Sequence, residues 1–543
     1  MATVPVIKCN YTDLLRLIDT EIDKNELIEK IPMIGADIDR VEGDDINIEF
    51  FPDRPDLLSI EGVARALRAF LGIKKGLTCY EVKPSSITLN VSSSVKKIRP
   101  YIVAALVEGI KTDEKLILSM MDLQEKLHFS LGKNRKKMAI GLHDAKHIIP
   151  PFTYQAVDPK SISFIPLTKN EEMNLEDILK KHEKGIEYSH LLTDCPRYPI
   201  LIDAKRNVLS FPPIINGELT SVNLATKKFF IDVTGTDRKA VNTALNIIST
   251  ALAERGGQIK SVKIVDTPTC ITPDLSPIKR SIDIQYMDRI LGKKIGRDAI
   301  DALKKMGFNA QPNNGEIDVS IPKWRVDILH QIDLIEDVAI GYGYNNFLQI
   351  LPKSSTFGSK KNIDKLYMIM IGLGFHEVVT LSLSSKEEQY KKIGLEEGKI
   401  VEIKNPITDK HSCLRQTLLP SLLAILNCNK HHDLPQKIFE IGSVVDKKAK
   451  NHLHLCGIKI SAKTGFTECK SIVKAILRDI GIVAKMEGKE HPAFIKGRCA
   501  AIIHQEEDIG FFGEIAPKII ETFELGHPII AFEMNVESLK KEV

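Results

Sequence analysis

Apolar positions along the chain recur with two periods, and the most telling stretch is Trp324 to Asn346, "WRVDILHQIDLIEDVAIGYGYNN". Ile328, Ile332, Ile335, Val338, Ala339 and Tyr342 fall at helical spacing and predict an amphipathic helix. Asp333, Glu336 and Asp337 sit at i, i+3 and i+4, so three carboxylates share the opposite face. Asp327 stands just before, where an N-cap belongs. No Lys or Arg occurs between Arg325 and Lys353. Like charges at this spacing repel by a few tenths of a kcal/mol per pair. Elsewhere the patterns alternate: strands such as "DINIEFF", "RPYIVAALVEGI" and "KKFFIDVTGTD" run between helices such as "LLSIEGVARALRAFLGI" and "AVNTALNIISTALAERG".

Punctuation divides this series. Residues 1–85 read as one α+β region, closed by "EVKPSS", and 86–270 as a second. The Pro-rich "DTPTCITPDLSP" reads as a hinge. Residues 271–350 form a compact strand, helix, strand and acidic-helix unit, and after "LPKSSTFGSKKN" residues 351–543 form another α+β region.

A chain of 543 residues is too long for a single core. Its 43% hydrophobic and 27% charged content is that of a soluble globular protein. A net charge of +4 permits a nucleic-acid partner without arguing for one. The nine cysteines never form a Cys-x-x-Cys pair, which fits free thiols in a reducing compartment. The first residues show no signal-peptide pattern, and no apolar run approaches a membrane span. A cytoplasmic location with no membrane contact is therefore expected.

Walker, G-x-S-x-G and G-x-G-x-x-G signatures are missing. Cys428, His431 and His432, and likewise His452, His454 and Cys456, lack a fourth ligand at zinc spacing. "LGKNRKKMAIG" groups Lys133, Arg135, Lys136 and Lys137, either a solvated turn or a phosphate contact. In "LSFPPIINGE", Pro212 and Pro213 forbid a central strand and Asn216–Gly217 predicts a tight turn. Such a rigid loop frames a pocket or merely ends an edge strand. "FIDVTGTD" places Asp232 and Thr234 on one face at a strand end, to orient a water or to cap the next helix. The acidic helix has three readings: a solvated face, a surface receiving a partner's basic residues, or a metal site. Its oxygen-only donors would select magnesium or calcium over softer metals.

Taken together, these strings resemble the β subunit of phenylalanyl-tRNA synthetase in its shorter archaeal and eukaryotic-like form. "FPDRPDLLSIEGVARALRAFLG" is similar to the family's N-terminal signature. "LGKNRKKMAIGLHD" and "LIDAKRNVLSFPPIINGE" resemble its B3/B4-type editing domain, and "IPKWRVDILHQIDLIEDVAIGYGYNNF" its B5-type domain. "LRQTLLPSLLAILNCNK" followed by "KIFEIGSVV" resembles its catalytic-like core.

The resemblance implies a multidomain α+β chain with an editing domain and a degenerate class II synthetase-like fold, an antiparallel sheet with flanking helices. It implies an (αβ)2 heterotetramer acting on tRNA(Phe), in which the α subunit binds ATP and phenylalanine and joins the amino acid to tRNA. That division agrees with "IFEIG", where Phe439 and Ile438 precede Glu440 and the family's ATP-gripping Arg-x-Glu is missing. Ending at Val543, the chain is expected to lack the anticodon-binding domain of the long bacterial form. The family's β chain also hydrolyses mischarged tyrosyl-tRNA. The resemblance places Ser210, Asp232 and Thr234 at that reaction, with Leu201, Pro212, Asn216 and Gly217 shaping the substrate pocket. No His base is apparent near them in sequence, so the hydroxyls are expected to position substrate or water. The resemblance also assigns Asp327, Asp333, Glu336 and Asp337 to a structural magnesium ion at the subunit boundary. The competing functions are a stand-alone aminoacyl-tRNA hydrolase and a non-enzymatic RNA-binding scaffold.

Overall fold

In a computed structural model of the chain, residues 6–351 and 363–539 are described. They divide into two compact units, Met1–Leu351 and Pro352–Val543.

The first unit contains all three regions read before residue 351. At its start, strands Val6–Asn10, Asp45–Phe50 and Ala36–Glu42 form a small antiparallel sheet. Helix Ile60–Phe70 begins at the cap Ser59, whose hydroxyl accepts from Gly62 N. A large mixed sheet of eleven described strands follows. Its inner strands Tyr101–Glu108 and Lys228–Gly235 bury nearly every residue, because helices cover one face and a second apolar layer the other.

Helix Arg238–Glu254 lies between this sheet and the N-terminal region, and the apolar residues of both merge into one core. Ion pairs reinforce the junction. Arg255 holds Asp13 through two bonds of 2.9 and 2.8 Å and Glu61 through one of 2.7 Å, all three side chains buried. The segment expected to be a hinge is tied down instead. Cys270–Thr272 pairs with strand Gln258–Val265, and the Thr272 hydroxyl bonds the backbone of Ala104.

Strands Ile278–Asp283, Glu316–Ile321 and Asn309–Asn313 form a three-stranded sheet packed by helices Ile284–Leu291, Asp298–Lys305 and Gln331–Tyr342. The acidic helix starts later than its pattern suggests. Its N-cap is His330 rather than Asp327, and the Asp333 carboxylate reaches back to accept from His330 N at 2.7 Å. Ile328 is buried but precedes the helix, while Ile332 is exposed. Asp337 is buried with the apolar face, because the helix packs closely on its neighbour there. A Cβ on Gly341 would be driven into the backbone carbonyl of Ala302.

The second unit is built on a seven-stranded sheet, antiparallel except where His376–Glu377 runs parallel to Gln436–Val445. Helices Asp364–Gly372 and Phe466–Ile480 join the core on one face, and Leu419–Cys428 and Pro517–Thr522 that on the other. Each unit is α+β, as expected.

Candidate functional site

Antiparallel pairing sets strand Lys228–Gly235 beside Met138–Asp144, with Asp232 opposite Gly141 and Thr234 opposite Ala139. Period-two alternation then points Asp232 and Thr234 the same way. The hairpin of Val208–Phe211 and Ile215–Asn216, the last turn of helix Glu114–Phe129 and the segment around His182 complete a cavity of about 290 Å³. That is near the lower limit for small-molecule sites and suits an amino-acid-sized group.

Of the seven expected pocket residues, five line this cavity: Ser210, Pro212, Asn216, Asp232 and Thr234. Leu201 and Gly217 do not. Leu201 is fully buried in the core behind, where it is the cross-strand partner of Ser210. Gly217 follows the lining strand, and a Cβ there would lie 2.6 Å from the carbonyl oxygen of Val208, so its role is to admit close backbone packing. The tight turn is not at Asn216–Gly217 either. It lies at Pro212–Pro213, where Ile214 N donates to Phe211 O.

Hydrogen bonding defines what the polar lining offers. Arg99, buried, donates Nε–H to the Thr234 hydroxyl at 2.9 Å and Nη2 to the Thr234 carbonyl at 2.8 Å. Burial pushes the Arg99 guanidinium down to about 10, against the opposing charge of Asp232. With its oxygen already accepting, Thr234 keeps its own proton to donate. Asp232 Oδ1 is bonded by His143 Nε2 at 2.7 Å, and among the described residues no side chain or backbone group donates to Oδ2. Ser210 Oγ is buried without a partner. The helix-capping alternative for "FIDVTGTD" falls to Asp237, which caps Arg238–Glu254.

The sequence reading missed several residues around the cavity. Arg135, from the basic loop, is buried rather than free for phosphate. It clamps the hairpin through Ile214 O at 2.9 Å, pairs with Glu125 at 2.9 Å and stacks on Tyr188. Lys133 and Lys136 of the same loop are exposed. His128 and His182 both line the wall, yet neither has a free base. His128 Nε2 accepts from Ile140 N, and burial with the nearby Arg135 charge pushes its imidazole down to about 4. His182 Nδ1 accepts from Lys184 N, and its Nε2 meets Leu167 O. Arg135 reaches Ile214 across 79 residues of sequence, so only its place in the basic "NRKK" loop could have hinted at it.

The acidic cluster is arranged differently from its pattern. Arg325, two residues before Asp327, grips it through Nε at 3.0 Å and Nη2 at 2.7 Å, and reaches Asp337 with Nη2 at 2.6 Å. Arg325 is thus the local cation that neutralises two of the four carboxylates, and it stacks on Phe308. Asp333 caps the helix, and Glu336 is exposed. The donors suit magnesium in kind. Among the described residues, however, no three His, Cys, Asp or Glu side chains gather closely enough to hold an ion. In the second His and Cys grouping, His454 is engaged with Glu533 and His452 with Asp446.

In the second unit, the polar groups that could have met a ligand meet one another. Glu440 is buried against Arg415 at 2.7 Å and Thr380 at 2.6 Å. Glu533, also buried, accepts from Leu418 N and Leu419 N at the start of helix Leu419–Cys428 and bonds His454 at 2.7 Å. A side-chain carboxylate therefore occupies this helix N-terminus.

The family described as "tRNA synthetase B5 domain" matches residues 280–344, and "Phenylalanyl tRNA synthetase beta chain CLM domain" matches 349–536. The chain is 44% identical to the phenylalanine–tRNA ligase beta subunit of Methanosarcina barkeri over 99% of both chains. It is 42% identical to that of Methanocaldococcus jannaschii, over 98% of this chain and 100% of the relative. An N-terminal fragment of the phenylalanyl-tRNA synthetase beta subunit from Pyrococcus horikoshii superposes with a TM-score of 0.61 at 42% identity, covering 63% of this chain and 100% of the fragment. The chain belongs to the phenylalanine–tRNA ligase beta subunit family.

Proposed function

We propose that the cavity beside Asp232 hydrolyses tyrosyl-tRNA(Phe), correcting an error of the ligase to which this β subunit belongs. The observation that carries the reading is a free acceptor, Asp232 Oδ2, and a free hydroxyl proton, on Thr234, together on the wall of one cavity. A phenol hydroxyl both donates and accepts. Tyrosine would satisfy both groups, whereas phenylalanine would leave them buried and unpaired, which is costly. A pocket built to bond a hydroxyl rejects the analogue lacking it far better than a hydrophobic pocket rejects an added hydroxyl. Thr234 thus positions the substrate through its phenol, and Ser210, with no adjacent base, positions the ester or a water rather than attacking it. Titration calorimetry of the chain with free tyrosine and free phenylalanine tests the reading: tyrosine should bind detectably tighter. Equal affinities would remove its basis.

Charging itself falls to the α subunit, which would bind ATP and phenylalanine in an (αβ)2 assembly in the cytoplasm. The internal pairing of Glu440 and Glu533 supports that division. No described helix is long and apolar enough to cross a membrane. Magnesium remains part of the reading in a structural role. Asp333 and Glu336, three residues apart, would contribute oxygen donors, with water and groups outside this chain completing the shell. Asp327 and Asp337 would join only by leaving Arg325. Comparing magnesium-dependent stabilisation of the assembly before and after Asp333→Asn with Glu336→Gln decides it, and equal dependence would exclude the site.

A further inference from the structure

His143 is buried completely and does not line the cavity. It stands behind Asp232, with Nε2 at 2.7 Å from Oδ1 and Nδ1 at 2.8 Å from the hydroxyl of Thr220. The proton arrangement follows from the partners. If Thr220 donates to Gly217 O, 3.1 Å away, it accepts from Nδ1–H; if it donates to Nδ1, that nitrogen is bare. With Asp232 ionised, Nε2 carries a proton toward the carboxylate in either case. Thr220 is itself buried, so the chain from Gly217 through Thr220 and His143 to Asp232 is closed to solvent.

The backbone is built around this contact. Gly141 is the cross-strand partner of Asp232 and lies two residues before His143, on the same face. A Cβ at Gly141 would be driven into Asp232 Oδ1 and would lie 2.6 Å from His143 Nε2. The missing side chain leaves the space in which the imidazole and carboxylate meet. Phe230, two residues before Asp232, packs 6.2 Å from the imidazole and limits its rotation.

We infer that His143 is a positioning residue for the hydrolysis assigned to this cavity: by binding Oδ1 within the sheet it turns Asp232 so that Oδ2 faces the substrate. The inference rests on the editing reading and goes one step behind it. Without the imidazole, the carboxylate can rotate, and its free oxygen no longer has a fixed place against a phenol hydroxyl.

The test uses the assembled α and β chains with His143→Leu and His143→Gln. A Gln amide can place an N–H near the position of Nε2; Leu cannot. Hydrolysis of tyrosyl-tRNA(Phe) and phenylalanyl-tRNA(Phe) is measured together with phenylalanine charging and the melting temperature of the assembly. His143→Leu should lower the tyrosyl-to-phenylalanyl ratio of kcat/KM by about 10- to 100-fold, the factor associated with a hydrogen bond to a charged group. His143→Gln should restore most of that ratio, with charging unchanged in both. An unchanged ratio in His143→Leu overturns the inference while leaving editing intact. Equal losses in both variants, with earlier melting, show a packing role and also overturn it. A wild-type assembly that does not hydrolyse tyrosyl-tRNA removes the editing reading and this inference with it.

Discussion

Replacing Arg325 with Met should be among the most destabilising single changes in the first unit. The guanidinium is 4% exposed and bridges Asp337, also 4% exposed, and Asp327, at 14%. Removing it leaves two carboxylates close together with little solvent and only the more distant charge of Arg54 near Asp337. Breaking a buried pair in this way costs about 3–5 kcal/mol, because the remaining charge keeps its desolvation penalty. Met fills similar volume over Phe308, so most of the loss is electrostatic. The assay is urea unfolding of the full chain, followed by the fluorescence of Trp324, its only tryptophan and adjacent to the mutation. Trp324 is buried and meets Arg65 and Tyr80, so its signal reports this unit. Adding Asp337→Asn to Arg325→Met should recover roughly half of the loss, since buried neutral amides cost less than buried charges. A loss below about 1 kcal/mol, or no recovery in the double variant, would refute the argument, because that is the range of solvated pairs.

Three further outcomes follow from particular contacts. Glu533→Gln should destabilise the second unit by about 2–4 kcal/mol by weakening the charge-assisted bonds to Leu418 N, Leu419 N and His454; a neutral effect in thermal unfolding would show that this cap is dispensable. His128 is held neutral by burial, its value lowered to about 4 from an unfolded value near 6.5. Its contribution is therefore complete above pH 6.5 and lost as pH falls toward 4, about 2 kcal/mol between pH 7 and 5. Wild type should lose that much more stability than His128→Leu over this interval, and parallel pH profiles would contradict it. Gly141→Ala should slow tyrosyl-tRNA hydrolysis at least as much as His143→Leu, because its Cβ enters the space of the Asp232–His143 bond; wild-type rates would rule out that steric argument.

Local pattern revealed much of the fold. Helix Arg238–Glu254 and strand Lys228–Gly235 were both legible from periodicity. So was the shared face of Asp232 and Thr234, since strand alternation fixes it. What was not legible depended on distant chain. His143 lies 89 residues from Asp232, and only the register of two strands brings them together. Leu201 was placed at the pocket by resemblance alone, but the ladder shifts register beside it, so Leu201 lies within the core behind while Ser210 lines the cavity. The acidic helix shows a different failure. No Lys or Arg follows Asp327 along the helix, but Arg325, just before it, folds back onto Asp327 and Asp337. Helical spacing describes which carboxylates are neighbours along the surface but not which of them turns inward with the core.

The most direct test of the editing assignment is the deacylation of tyrosyl-tRNA(Phe) by the αβ assembly carrying Asp232→Ala or Thr234→Ala, measured beside phenylalanine charging. The account predicts that each variant hydrolyses tyrosyl-tRNA at least tenfold more slowly, about the effect of losing one hydrogen bond to the substrate, while charging stays at the wild-type rate. Wild-type hydrolysis in both variants would contradict the assignment of this cavity to proofreading.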